Sequence, residues 1–138
     1  MAKTCFSDLQ VGMTSERSFV FLAERVLEFS NLVNDHAPVH SDQAFALSQG
    51  FEGQIVHGLF VQSILSGMLG NEIPGPLSVI NQINMKMHSP VFIGQKVDYK
   101  LEICGLTPSV SAVSLTFQGT VDDRLIISGK AICSFPKN

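Results

Sequence analysis

Hydrophobic positions along the chain change their period near residue 76, and that change divides the sequence into two kinds of element. Upstream, Leu22, Val26, Phe29 and Val33 recur at helical spacing and predict an amphipathic helix from Phe21 to Val33. A short helix is expected from Ser41 to Ser48, with Ser41 or Asp42 at its cap. Leu59 to Gly70 is apolar on most sides, which predicts a buried central helix ended by Gly70 and Pro74. Its polar residues Gln62, Ser63 and Ser66 share one narrow face. Downstream of Pro76 the pattern alternates. Ile83, Met85 and Met87 form one run, Val97 to Ile103 a second, and Val113 to Phe117 a third. Leu125 to Phe135 is a fourth, after an Asp122-Asp123 turn. Gly94, Gly105, Pro108, Gly119 and Asp123 are read as the turns between runs.

Clean alternation marks antiparallel strands with one covered face. One very apolar helix ahead of such strands predicts an α+β fold in which the sheet wraps that helix. The 138 residues suit a single domain spanning 1–138, with no linker, repeat or low-complexity segment.

Composition sharpens this picture. Hydrophobic residues make up 45% and charged ones only 15%, more apolar surface than a small monomer hides, so a subunit contact is expected. A net charge of −3 leaves no basic stripe for nucleic acid. Apolar stretches are short and interrupted, so no membrane span is expected, and Met1-Ala2-Lys3-Thr4-Cys5 carries no apolar signal region. Cys5, Cys104 and Cys133 are odd in number and widely spaced, which suits free thiols in a reducing cytoplasm.

Candidate chemistry concentrates between residues 34 and 58. Asp35 and His40 lie five residues apart, and Pro38 between them disfavours helix at Ala37 and favours a loop. An ionised Asp accepts hydrogen bonds while a neutral His both donates and accepts, so together they can hold and deprotonate one water. A local pair of this kind also serves as ordinary cap and loop structure, and the two residues alone leave both readings open. Gly58 opens the predicted central helix, whose first-turn N–H groups lack internal partners and lie at the positive end of the dipole. A glycine there lets a carbonyl approach closely, although it equally suits a tight helix entry. His57 precedes it in a supporting position. His36 and His40 have metal-like spacing, but Pro38 interrupts it and no HExxH motif or cysteine pair completes a ligand set. The chain has no G-x-S-x-G elbow, no G-x-G-x-x-G fingerprint and no phosphate-binding loop, and its cysteines lack a catalytic context.

Taken together, Asn34-Asp35-His36-Ala37-Pro38-Val39-His40 and Ile55-Val56-His57-Gly58 resemble the MaoC-like (R)-specific enoyl-CoA hydratases, a branch of the hot-dog fold. Phe51, Ser66-Gly67-Met68-Leu69-Gly70 and Ser89-Pro90-Val91-Phe92-Ile93-Gly94-Gln95 extend the likeness, in order, over nearly the whole chain. The resemblance implies a homodimer of hot-dog domains and reversible syn hydration of a trans-2-enoyl thioester, without cofactor or metal. It carries the catalytic roles to Asp35 and His40, the oxyanion amide to Gly58 and a serine near the bound water to Ser66. Asp35 is the expected base, with His40 orienting and shuttling the proton; the sequence does not exclude the reverse assignment.

The chain departs from the family motif Ser-Gly-Asp-x-Asn-Pro at two places: Val33-Asn34 stand for Ser-Gly, and Ala37 for Asn. Three further readings compete. The thioester could be carried by acyl carrier protein instead of CoA, and Arg17, Lys86, His88, Lys96 and Lys100 could meet either a CoA phosphate or an acidic carrier. A hot-dog thioesterase would place a carboxylate on the central helix, where this chain has no Asp or Glu between Gly53 and Gly70. A non-catalytic acyl-thioester-binding protein would keep the fold and lose turnover.

Overall fold

In the computed structural model, which describes residues 4–137, five antiparallel strands form one sheet. They are β1 (Thr14–Val20), β2 (Val79–Met87), β3 (Lys96–Thr107), β4 (Ala112–Val121) and β5 (Arg124–Ser134), in the spatial order β1-β3-β4-β5-β2. Three helices precede most of the sheet in sequence: α1 (Ala23–Val33), α2 (Gln43–Ser48) and α3 (Gly58–Asn71).

The alternation predicted for β3 and β4 is what builds the covered face. Val97, Tyr99, Leu101 and Ile103 point inward from β3, and Val113, Leu115 and Phe117 from β4, all buried. β5 adds Ile127, Ala131 and Cys133. α3 lies against this face through Phe60, Val61, Leu65, Met68 and Leu69, and Tyr99 pins it by donating its hydroxyl to the Val61 carbonyl at 2.7 Å. This is the hot-dog arrangement that the sequence leads one to expect, with a long apolar helix held by a curved sheet.

Several local details differ from the sequence-based expectation. β1 carries no hydrophobic alternation, because its inward residues include Ser15 and Arg17 as well as Phe19. Arg17 forms an ion pair with Glu72, just past α3, at 2.6 Å, and Ser15 also donates to that carboxylate. The cost of facing inward is thereby met by pairing. Gly105 and Gly119 are inside strands rather than between them. The register shifts beside both, and at Gly119 a Cβ would come within 2.8 Å of Ile127 and 3.0 Å of Val97. The last hairpin does turn at Asp122-Asp123, whose φ values of 48° and 64° are those a type I′ turn demands. The buried face of α1 is Val26 and Ser30 with Phe29 beside them, while Leu22 and Val33 are exposed. The Ser41–Ser48 expectation resolves into α2 with Asp42 as its cap, accepting from the Phe45 N–H at 3.0 Å. Among the described residues no helix is long and apolar enough to cross a membrane.

Candidate active site

Three chain segments meet at one small cavity: the end of α1, the Pro38–His40 turn and the start of α3. α1 stops at Asn34, whose φ of 57° is left-handed, a conformation that glycine and asparagine adopt at helix ends. This explains the first departure from the motif, since asparagine can replace glycine at such a position. Asp35 follows immediately, its own N–H returning to the Ser30 carbonyl at 3.0 Å. Its carboxylate oxygen Oδ1 accepts from the Ala37 N–H at 3.2 Å. That turn uses only the backbone of residue 37, so it survives with Ala37 in place of asparagine.

His40 sits one turn further on, at the end of the 3-10 turn that Pro38 starts. Two bonds fasten this turn to the segment entering α3. The Ile55 N–H donates to the Val39 carbonyl at 3.1 Å, and His40 Nδ1 lies 2.7 Å from the Ile55 carbonyl. A carbonyl can only accept, so Nδ1 carries the hydrogen and the Nε2 lone pair is left to accept a proton.

His57, the residue before Gly58, is almost fully buried at 3% exposure. Its Nε2 lies 3.3 Å from the Asp35 carbonyl and 3.1 Å from Ser30 Oγ, so Nε2–H donates toward both. Its ring stacks on His40, with centroids 3.7 Å apart and planes 24° from parallel. On its other side Phe29 packs at 5.0 Å, itself stacked on Phe60 at 4.7 Å. Burial pushes the His57 ring below the ordinary imidazole range, against the opposing pull of the Asp35 carbonyl.

The cavity lined by Phe29, Val33, Asp35, His40, His57, Gly58 and Leu59 measures about 160 Å³. A second hollow of about 340 Å³ touches Gly58 from the side of Met87, His88 and Pro90. Gly58, in the first turn of α3, therefore borders both spaces. Larger hollows lie elsewhere, one of about 430 Å³ over Glu16, Asp98 and Lys100, but that lining is a solvated strand surface.

Of the sequence-predicted residues, Asp35, His40, His57 and Gly58 converge on one cavity, and Ser66 does not. Ser66 is exposed two turns along α3, about 12 Å from the helix start at 1.5 Å per residue. Ser63 donates to the Phe60 carbonyl at 2.7 Å. Arg17 is committed to Glu72, and Lys96 is within 3.8 Å of Asp98, so neither is a loose surface cation, whereas Lys86, His88 and Lys100 are exposed. Sequence reasoning missed Ser30 and Phe29 as site residues. Both fall on a helix face, and nothing in a linear pattern announces that this face meets His57.

Asp35, His40 and His57 place donor atoms within 4.8 Å of one another, a density that invites a metal reading. The two imidazoles are stacked, however, with planes 24° from parallel and centroids 3.7 Å apart, an arrangement unlike that of two histidines directing in-plane lone pairs at one tetrahedral ion. The donor set therefore does not fit a metal ion. His36, the other half of the spaced histidine pair, is exposed and outside this group.

The fold is that of the hot-dog hydratases and dehydratases. The profile of the MaoC like domain matches residues 10–122, and the chain belongs to that family. It is 34% identical over 129 residues to an (R)-specific enoyl-CoA hydratase of Aeromonas caviae, covering 93% of this chain and 96% of that one. It is 31% identical over 132 residues to a 3-hydroxybutyryl-CoA dehydratase of Methylorubrum extorquens, covering 96% and 84%. The solved structure of an (R)-hydratase from A. caviae involved in PHA biosynthesis superposes with a TM-score of 0.89 at 33% identity, covering 93% of this chain and 98% of that one.

Proposed function

We propose that this chain is an acyl-thioester hydro-lyase that adds water reversibly to a trans-2-enoyl-CoA, giving an (R)-3-hydroxyacyl-CoA. The observation that carries the reading is the 2.7 Å contact of His40 Nδ1 with the Ile55 carbonyl, from which the tautomer follows. With Nδ1–H held by the Ile55 carbonyl, Nε2 faces the chemistry as an acceptor beside the Asp35 carboxylate. A water between the two acceptors donates one hydrogen to each.

In hydration, the water oxygen attacks C3 of the enoyl thioester while a water proton passes to His40 Nε2. The electron pair displaced from the C2–C3 double bond moves onto the thioester oxygen, where the Gly58 N–H stabilises it. The proton returns from His40 to C2 on the same face, which restores the imidazole and makes the addition syn. The imidazolium formed on His40 lies between the Ile55 carbonyl, which accepts its Nδ1–H, and the negatively charged Asp35 carboxylate. This supports His40 as the base and Asp35 as the group that orients the water, the reverse of the assignment first expected from sequence. The hollow on the far side of Gly58 gives the thioester's carrier arm a way out.

The acyl-carrier-protein thioester is the alternative substrate, and comparing turnover of one acyl chain on the two carriers decides it. The active unit is proposed to be a homodimer, because edge strand β2 leaves Val79 and Ile80 exposed and Leu59 is exposed beside the cavity. Ser66 belongs to the substrate channel only if that dimer or the acyl chain brings the two together.

The test is stereochemical. Given (R)- and (S)-3-hydroxybutyryl-CoA separately, the protein is expected to generate conjugated enoyl absorbance from the (R) isomer alone. Equal dehydration of both, or release of free thiol without enoyl formation, would contradict the proposal.

A further inference from the structure

His57 is the one buried titratable group at the site that the reaction above does not use. Its Nδ1 is buried and meets no hydrogen-bonding partner among the described residues. Leaving such an atom unpaired is unfavourable, and a phenylalanine or leucine of similar size would avoid that. The cost is compensated only by what the rest of the ring does, and its contacts reach every part of the machinery.

At Nε2 the ring holds the Asp35 carbonyl and Ser30 of α1. The His57 ring stacks on His40 at 24° from parallel and meets Phe29 at a 56° tilt; Phe29 in turn stacks on Phe60, which meets Phe21 edge-on at 4.9 Å in the core. Along the backbone it is the cap of α3, its carbonyl accepting from the Phe60 and Val61 N–H groups, so its position fixes Gly58 next to it. Asp35, His40 and the Gly58 amide come from three separate segments, and one residue touches or adjoins all of them.

We propose that His57 is the positioning residue of this site, and that its hydrogen bond to the Asp35 carbonyl sets the carboxylate against His40 and the Gly58 amide. Ser30 is its accessory, completing the grip on Nε2. The assignment rests on the hydratase reading for its effect on turnover, but its structural content stands apart from that reading. Displacing a catalytic group by an ångström lowers rates by up to about a hundredfold, so the loss should fall on kcat and not on substrate binding.

Two substitutions separate the ring's contributions. His57→Phe keeps the stack on His40 and Phe29 but removes the Nε2 donor. His57→Gln keeps a donor at the same reach and gives up the stack. With crotonyl-CoA, His57→Phe is expected to lower kcat by roughly 10- to 100-fold, with KM within about threefold of wild type. His57→Gln should recover at least about fivefold of that loss, and Ser30→Ala should lower kcat about threefold. Wild-type kcat in His57→Phe, or a Phe variant more active than Gln, would overturn the proposal.

Amide hydrogen exchange supplies a readout independent of turnover. The Asp35 and His40 amides, bonded to the Ser30 and Ala37 carbonyls, should exchange at least about fivefold faster in His57→Phe, with the Leu101 amide in the sheet unchanged. Unchanged exchange at Asp35 and His40 would overturn the positioning role whether or not the wild type hydrates any enoyl thioester. Absence of wild-type turnover together with faster exchange would sink the hydratase reading and leave the positioning role standing. If His57→Phe fails to fold, Ser30→Ala carries both measurements to the same decision.

Discussion

Asp35 and His40 were visible in the sequence as a pair, yet what separates them chemically was not. The decisive contact is the bond from His40 Nδ1 to the Ile55 carbonyl, fifteen residues away, and no local pattern encodes it. The two motif departures are also explained only by backbone geometry, through the left-handed Asn34 and the backbone N–H of Ala37. Gly58 offers a test that separates fold from chemistry. A Cβ there would meet only Met87 Cγ, at an ordinary 3.6 Å, so Gly58→Ala should melt within a few degrees of wild type. The same methyl would stand where a thioester oxygen approaches the amide, and kcat/KM should fall about tenfold or more. Cys133 is a residue whose role is packing alone. Burial raises its thiol to about 11, so it should resist alkylation in the folded protein while the exposed Cys5 and Cys104 react.

Among the elements, α3 was legible from its nearly continuous apolar run, and β3 and β4 from their alternation over Val97–Ile103 and Val113–Phe117, though not in their full extent through Gly105 and Gly119. β1 was not, since Ser15 and Arg17 hold inward positions and satisfy them through Glu72 instead of hydrophobic contact. Gly105 and Gly119, read from the sequence as turns, are strand residues, and a further glycine inside the sheet shows what such a position demands. Gly129 faces Met85 across β5 and β2 and lies beside Phe117, and a Cβ at residue 129 would overlap the Asn84 carbonyl oxygen and the Phe117 ring. Gly129→Ala should therefore destabilise the protein by at least about 2 kcal/mol, read as a shift in urea midpoint, because the obstacle is backbone. The junction of α1 with α3 carries a pH signature. Burial, with the His40 and His36 rings beside it and against the pull of Asp35, holds the His57 pKa in the fold below the ordinary imidazole value of about 6.5 at which it protonates in the unfolded chain. The unfolded state then binds more protons, so stability should fall as pH drops below that value. The slope of stability against pH between about 6.5 and 5 should be shallower in His57→Phe than in wild type.

At the scale of the whole molecule, the high apolar fraction suggested from the sequence that one chain would leave hydrophobic surface to be covered. The fold locates that surface on β2, at one edge of the sheet, and at the exposed Leu32, Val33 and Leu59 near the cavity. The protein is expected to sediment at twice its 15.0 kDa chain mass. Ile80→Asp on the β2 edge should shift it toward the monomer and lower hydratase activity in parallel. A monomeric wild type with full activity would contradict the dimer.

The central claim is that Asp35 and His40 together activate one water against a thioester held by Gly58. Its most direct test is the loss of conjugated enoyl absorbance when the purified protein meets crotonyl-CoA, measured for wild type, Asp35→Asn and His40→Gln. Rapid loss with wild type is expected, with both variants reduced roughly a thousandfold in kcat while their melting curves are unchanged. Wild-type rates in either folded variant would contradict the account.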